Sequence, residues 1–353
     1  MDGPVVEEPV RGSVFPPGLF GLSGLERLRL LLSAKVAPSP VRLLTGIQFT
    51  ELGPGTVTFT MPITGWLRTP QGIATAGAVA ILADLPLASA IQTVLPPATG
   101  YVTTELSINM VRPVPSTGHL IARGRLVHCG RQLGLSETFV TDDAGRLIAH
   151  GTSRCVIFRP AADAPSPQTD EIPVAPVEDH DWAPPFERPA AGVILDAETW
   201  RARSGLEILR AQLAGSLPHA PIHYLLGVRL IEVDEGTSVL SMPASGWLTS
   251  MTGMVLGGVT ACLADLALAT AVQTTVPAGT AYAPTDLRTQ FIRPIPADGG
   301  SIIARASVVH RGRSIAIARA EVTNDQGKLL ALASSSAVIL PGRRADLADE
   351  PQD

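Results

Sequence analysis

"GGVTACLADLALAT", Gly257–Thr270, is a run of small and apolar residues with a single carboxylate, Asp265, near its centre. An isolated carboxylate is costly to bury unless it is paired, hydrogen-bonded or protonated. The same pattern stands earlier as "GAVAILADLPLASA", Gly77–Ala90, with Asp84 in the matching place. The two acids are separated by 265 − 84 = 181 residues, and other pairs keep that offset. "SGLERLRLLL" from Ser23 returns as "SGLEILRAQL" from Ser204, "MPITGWL" from Met61 as "MPASGWL" from Met242, and "INMVRPVP" from Ile108 as "TQFIRPIP" from Thr289. Two long segments in a fixed register are a duplicated domain rather than a short-period solenoid.

Each copy carries one pattern of elements. A short amphipathic helix opens it, with Leu25, Leu28 and Leu32 near helical spacing. "GIQFTELGPGTVTFTMPI" reads as two strands around a Gly-Pro-Gly turn. The Asp-bearing segment is long enough for five helical turns, and four alternating, β-branched runs follow it. Pro86, two residues after Asp84, removes a helical donor and predicts a kink there. The domains are expected at 20–159 and 201–340, and the proline- and acid-rich segment 160–200 reads as a solvated linker.

Composition narrows the function. Lys+Arg 27 against Asp+Glu 32, a net charge of -5, argues against a general nucleic-acid binder. Three widely spaced cysteines with no CxxC pair indicate neither a disulfide scaffold nor a zinc site. The acidic, proline-bearing start has no basic or apolar signal region, so a cytoplasmic protein is expected. The central Asp makes each apolar segment a poor membrane span. GxSxG, GxxxxGK[ST] and GxGxxG motifs are all lacking, which leaves serine hydrolysis, nucleotide hydrolysis and dinucleotide redox without their signatures.

The order GG…LAD…(T/S)-x-(E/D)-L…RP…VVHxGR…DxxGxLLA across each copy resembles the PaaI-type acyl-CoA thioesterases of the hotdog superfamily. The resemblance implies an α+β double hotdog, in which each half is a long central helix wrapped by an antiparallel sheet of about six strands. The halves are then expected edge to edge with their helices side by side. The implied activity is hydrolysis of an acyl-CoA, or another acyl thioester, to free acid and thiol. No metal or redox cofactor is expected, and whole chains are expected to form homo-oligomers.

In that family the acid of one unit works beside the helix start of the other. The resemblance places the acid, as base or nucleophile, on Asp84 and Asp265, and the carbonyl-binding amide on Gly257 and Ala76. A water-holding hydroxyl maps to Thr103 in one half and to Pro284 in the other. The family's motif His is replaced by Thr75 and Leu256, and its Asn or Gln by Thr69 and Ser250. Gly77, Gly258, Thr69 and Ser250 are placed beside the substrate, and Arg131 and Arg313 are candidates for coenzyme A phosphates. Burial should raise the pKa of each Asp, and a helix start supplies unpaired N–H groups for an oxyanion. Structural alternatives exist for each residue: an Asp tied to backbone or hydroxyls, and glycines serving close packing. The rival function is a non-catalytic acyl-CoA or fatty-acyl binder with a degenerate site. The halves differ most at Ala76 against Gly257 and at Pro284 against Thr103, so the Asp84 site is expected to be the stronger.

Overall fold

The computed structural model describes residues 3–158 and 182–340. The first copy runs α1 (Gly24–Leu32), α2 (Pro40–Thr45), β1 (Gln48–Gly53), β2 (Thr56–Pro62), α3 (Ala76–Gln92), β3 (Gly100–Met110), β4 (His119–Cys129), β5 (Leu133–Thr141) and β6 (Leu147–Phe158). The second runs α4 (Ala197–Ala202), α5 (Gly205–Leu213), α6 (Pro221–Leu226), β7 (Arg229–Asp234), β8 (Thr237–Pro243) and α7 (Gly257–Gln273). It ends with β9 (Ala281–Pro284), β10 (Asp286–Phe291), β11 (Ser301–Arg311), β12 (Ile315–Asn324) and β13 (Leu329–Leu340). The strand equivalent to β3 is divided in two here, between Pro284 and Asp286. Pro284 has no N–H to give to a ladder, which fits an interruption at this point.

All strands join one antiparallel sheet of order β1-β2-β4-β5-β6-β3-β10-β13-β12-β11-β8-β7, with β9 alongside β13. The halves meet at β3 and β10, where Ser107 faces Arg288, its own counterpart 181 residues on. The seam is therefore a pseudo-two-fold axis. This is the expected double hotdog, with α3 and α7 packed against each other inside the curved sheet.

Local chemistry fixes the elements. Ser23 with Glu26, and Ser204 with Glu207, form capping boxes that start α1 and α5. Gly46 and Gly227 end α2 and α6 in the left-handed region, at φ 75 and 69. The predicted kink does not interrupt α3: the helix runs unbroken from Ala76 to Gln92 with Pro86 inside it. Pro86 is buried against β4, where a Cβ on Gly124 would lie 2.5 Å from its carbonyl oxygen, so packing from the sheet holds the turn in line.

Within the segment read as linker, 160–181 lies outside the described residues, and 182–200 is laid down on the fold. Trp66 of the first half donates its indole N–H to Arg188 O at 3.1 Å, and Phe186 lies against Gly46. The N-terminal segment does the reciprocal: Trp247 donates to Glu8 O at 2.9 Å, and Val6 lies against Gly227. Each half is thus covered by the leading segment of the other. A two-pronged ion pair of Arg188 with Glu8, at 2.7 and 2.8 Å, ties the two segments together.

Candidate active site

The two acids meet the opposite half at the antiparallel contact of α3 with α7. Glycines let the helices touch. A Cβ on Gly258 would lie 2.3 Å from Ala80 O, and one on Gly77 would lie 2.8 Å from Cys262 Cα. This approach sets the start of each helix against the carboxylate of the other. Gly258 N–H donates to Asp84 Oδ2 at 2.9 Å, and Gly77 N–H donates to Asp265 Oδ2 at 2.9 Å. The second oxygen, Oδ1, of each acid is buried and has no hydrogen-bond partner among the described residues.

Both acids are strongly desolvated, at 3% and 0% exposure. Burial pushes the Asp84 carboxyl up to about 6, against the pull of the Gly258 amide. Burial likewise lifts Asp265 to about 6, with a small further push from the charge of Asp286. Thr75 and the Gly77 amide oppose that rise, although the Thr75 hydroxyl makes no hydrogen bond of full geometry. Each carboxyl therefore has one oxygen held by a backbone amide and one buried without a hydrogen bond of full geometry among the described residues.

The amides that hold the acids belong to Gly77 and Gly258, one residue beyond the Ala76 and Gly257 expected as carbonyl donors. The first-turn N–H groups of Ala76 and Gly257 make no hydrogen bond among the described residues. Gly257 is half-buried and Ala76 fully buried. A Cβ added to Gly257 would stand 2.9 Å from Asp84 Oδ2.

The other expected residues divide. Thr103 lies on β3, half-buried, with its hydroxyl 3.7 Å from Cys155 Sγ. Thr69 donates to Ile73 O at 3.0 Å, and the Ser250 hydroxyl engages Thr252 at 2.9 Å; each closes the turn that leads into its helix. Arg131 and Arg313 are exposed on the hairpins after β4 and β11. Pro284 ends β9 and lines a small cavity in the second half, together with Thr69.

That cavity reveals a difference the repeat conceals. On the Asp265 side, Gln71, Leu266 and Tyr282 are buried at 8%, 4% and 3% exposure. Gln71 Nε2 donates to Tyr282 OH across the halves, and Tyr282 in turn donates to Gln273 Oε1 at 3.1 Å. On the Asp84 side the counterparts are Thr252, which is exposed, and Leu85 and Tyr101, which are half-buried. These three positions are thus more covered on the Asp265 side than on the Asp84 side. Gln71 and Tyr282 were not singled out in the sequence, because their meeting depends on the cross-half packing.

Among the described residues no helix is long and apolar enough to cross a membrane. Comparison with known proteins bears on both halves. Residues 32–157 match the family described as acyl-CoA thioesterase C-terminal domain, and residues 252–331 match the family described as thioesterase superfamily. No curated protein matches the chain. Among solved structures it is similar to the tesB protein MAP1729c of Mycobacterium avium subs paratuberculosis, with a TM-score of 0.53 and 13% identity over 90% of this chain and 100% of that one. It is also similar to the acyl-CoA thioesterase II TesB2 of Mycobacterium marinum, with a TM-score of 0.50 and 15% identity over 87% of this chain and 98% of that one. A third likeness is a conserved protein with a hot dog fold from Alicyclobacillus acidocaldarius, with a TM-score of 0.50 and 14% identity over 83% and 95%. At these identities the structural likenesses establish the fold.

Proposed function

This chain belongs to the hotdog thioesterase superfamily, a family of thioester hydrolases, and on that footing we propose that it hydrolyses acyl-CoA with Asp84 as its principal base. The reading takes the PaaI-type arrangement, in which the acid and the carbonyl-binding amide come from opposite halves. What carries it is one juxtaposition: a buried carboxylate with an unengaged oxygen beside an unengaged helix-start amide of the other half.

The thioester carbonyl oxygen accepts a hydrogen bond from Gly257 N–H at the positive end of α7. Asp84 Oδ1 takes a proton from a water that the Thr103 hydroxyl helps to hold. The water oxygen bonds to the acyl carbon, the C–S bond breaks, and the proton on Asp84 passes to the departing thiolate. Gly258 N–H holds Oδ2 throughout, so the carboxylate keeps one orientation as its charge changes. Arg131, exposed on its hairpin, is assigned to the coenzyme A phosphates. The reading places this chemistry in the cytoplasm.

Free-thiol release measured over short, long and aromatic acyl-CoAs tests the activity. Asp84→Asn, checked for folding by circular dichroism, should lower turnover of hydrocarbon acyl-CoAs by about 10²–10⁴. Asp265→Asn should change it little. Release that is absent for every acyl-CoA, or unaffected by Asp84→Asn, overturns the assignment.

A further inference from the structure

The repeat extends into the leading segments at an offset of 180. "PVVEEPVRGSVF", residues 4–15, stands against "PPFERPAAGVIL", residues 184–195, with Glu7 at Glu187, Pro9 at Pro189 and Gly12 at Gly192. The structure keeps this correspondence. Short 3-10 helices lie at Val5–Glu7 and Pro185–Glu187, and Gly12 and Gly192 are both left-handed, at φ 99 and 88. Ser13 N–H donates to Pro38 O at 3.0 Å and Val193 N–H to His219 O at 2.9 Å, and these acceptors are themselves counterparts at 181. Glu8 and Arg188 are therefore one position in two copies. The carbonyl oxygen of each is held by one of the counterpart tryptophans, Trp247 and Trp66.

A residue that touches its own counterpart lies on the axis relating the two halves. Glu8 and Arg188 do so at 2.7 and 2.8 Å, as Ser107 and Arg288 do at the sheet seam. On such an axis, two identical halves would set identical side chains against each other. Two first halves would bring Glu8 to Glu8, and two second halves Arg188 to Arg188. At the seam two first halves would set Ser107 against Ser107 at no electrostatic cost, so the leading segments carry the discrimination against that pairing. An exposed ion pair is worth little, but this one is two-pronged and its side chains are only 15% and 27% exposed. Both backbones are pinned by the tryptophans, and Arg188 Nε also donates to Ala183 O at 2.8 Å, so a like charge could not simply turn away. A second contact joins the segments: Arg11 lies 4.7 Å over Trp182, which stacks on Trp247 at 6.3 Å.

We propose that Glu8 and Arg188 form a recognition pair that makes each half accept the other and refuse its own kind. First half then closes on second half, and not first on first or second on second. Specificity of this sort needs a repulsive element against the wrong partner as well as an attractive one for the right partner. One position in two copies supplies both. Like-with-like pairing would join separate chains, whereas unlike pairing is satisfied within a single chain. The proposal is independent of the thioesterase reading.

The full chain carries the test, as Glu8→Arg, Arg188→Glu and the exchanged double variant. Each single reversal puts like charges on the axis and should lower the folding equilibrium constant by about 10–100-fold in denaturant unfolding. The exchanged pair should restore it to within about 3-fold. Refolding the two single variants together tests partner choice itself, because the first half of one chain and the second half of the other carry opposite charges. Exchange gives up the advantage of linkage once, on the order of millimolar in effective concentration, and relieves two repulsions. The mixture should therefore unfold close to wild type although neither component does so alone. Single reversals that unfold like wild type, an exchanged pair that does not recover, or a mixture that unfolds like its components overturns the proposal. Should a reversal fail to fold, Glu8→Gln, Arg188→Gln and their double complete the cycle: a coupling of about 10-fold between the positions supports the pair, and none overturns it.

Discussion

Replacing Asp265 by Asn should make the protein more stable at neutral pH, by an amount that pH itself controls. Burial lifts the folded-state carboxyl from 3.8 to about 6. A folded-state pKa above the unfolded one means that the folded chain binds more protons between these values. Stability therefore falls as pH rises from about 4 to about 6 and is level above. At about 1.36 kcal/mol per pH unit, the cost of holding Asp265 ionised is about 3 kcal/mol above pH 6 and close to zero below pH 4. Asn has nearly the same shape and can still accept from Gly77 N–H through its oxygen, and it carries no charge to desolvate. The stability difference between Asp265→Asn and wild type should thus grow by about 3 kcal/mol between pH 3.5 and pH 7.5. For a chain of this length that corresponds to a melting shift of about 4 °C. Denaturant unfolding at pH 3.5, 5 and 7.5 measures it. A difference that stays flat with pH would refute the argument, because it would mean that the acid is not desolvated in the folded state.

Turnover of hydrocarbon acyl-CoA should rise with pH through about 6 and then level, as the raised carboxyl of Asp84 ionises; a pH–rate profile checks this. Gly257→Ala should lower that turnover by about 10–100-fold with folding intact, since its Cβ would press on Asp84 Oδ2 where the substrate carbonyl is to sit. Gly258→Ala should instead destabilise the whole chain by about 3 kcal/mol or more, because its Cβ would overlap the α3 backbone, and thermal melts separate the two effects. Val102, Val156 and Leu133 are neighbours on the outer sheet face and each about two-fifths exposed, so light scattering should find chains paired through such faces, and Val156→Lys should weaken the association.

The acids were legible in the sequence because a repeat turns an oddity into a pattern: one Asp in an apolar helix is unremarked, two at a fixed offset are not. The single sheet followed from alternation in the strands and from the family resemblance. Three things were not legible. The amides that hold the acids lie one residue past the expected donors, because the exact contact is set by how closely Gly77 and Gly258 let the helices approach. The order of 182–200 was hidden by its proline-rich composition, although Phe186 and Trp200 are the apolar residues that a solvated linker lacks. The small cavity between the halves was hidden most deeply, since Gln71, His223 and Tyr282 come from distant elements of both halves. A position-by-position comparison of polarity between the repeats, Gln212 against Leu31 or Thr75 against Leu256, carries the signal that would have exposed it.

Covalent duplication explains why such divergence can persist. In a dimer of identical hotdog units every substitution enters both sites at once, so a change that suits one substrate is imposed on the other. Here each acid is held by a helix-start amide of the other half, and a substitution alters the surroundings of one acid by one residue. Ala76 already stands where the other half has Gly257, and Pro284 where it has Thr103, so the surroundings of the two acids differ at one helix start and one hydroxyl. The shared seam restrains this freedom. Gly77 and Gly258 set the helix spacing for both sites, and Ser107 faces Arg288 on the axis itself. Substitutions at the helix contact should therefore disturb both acids together, while substitutions beside one acid should leave the other in place. Measuring thiol release and stability side by side across both classes of variant distinguishes a pair of independent sites from a single coupled one.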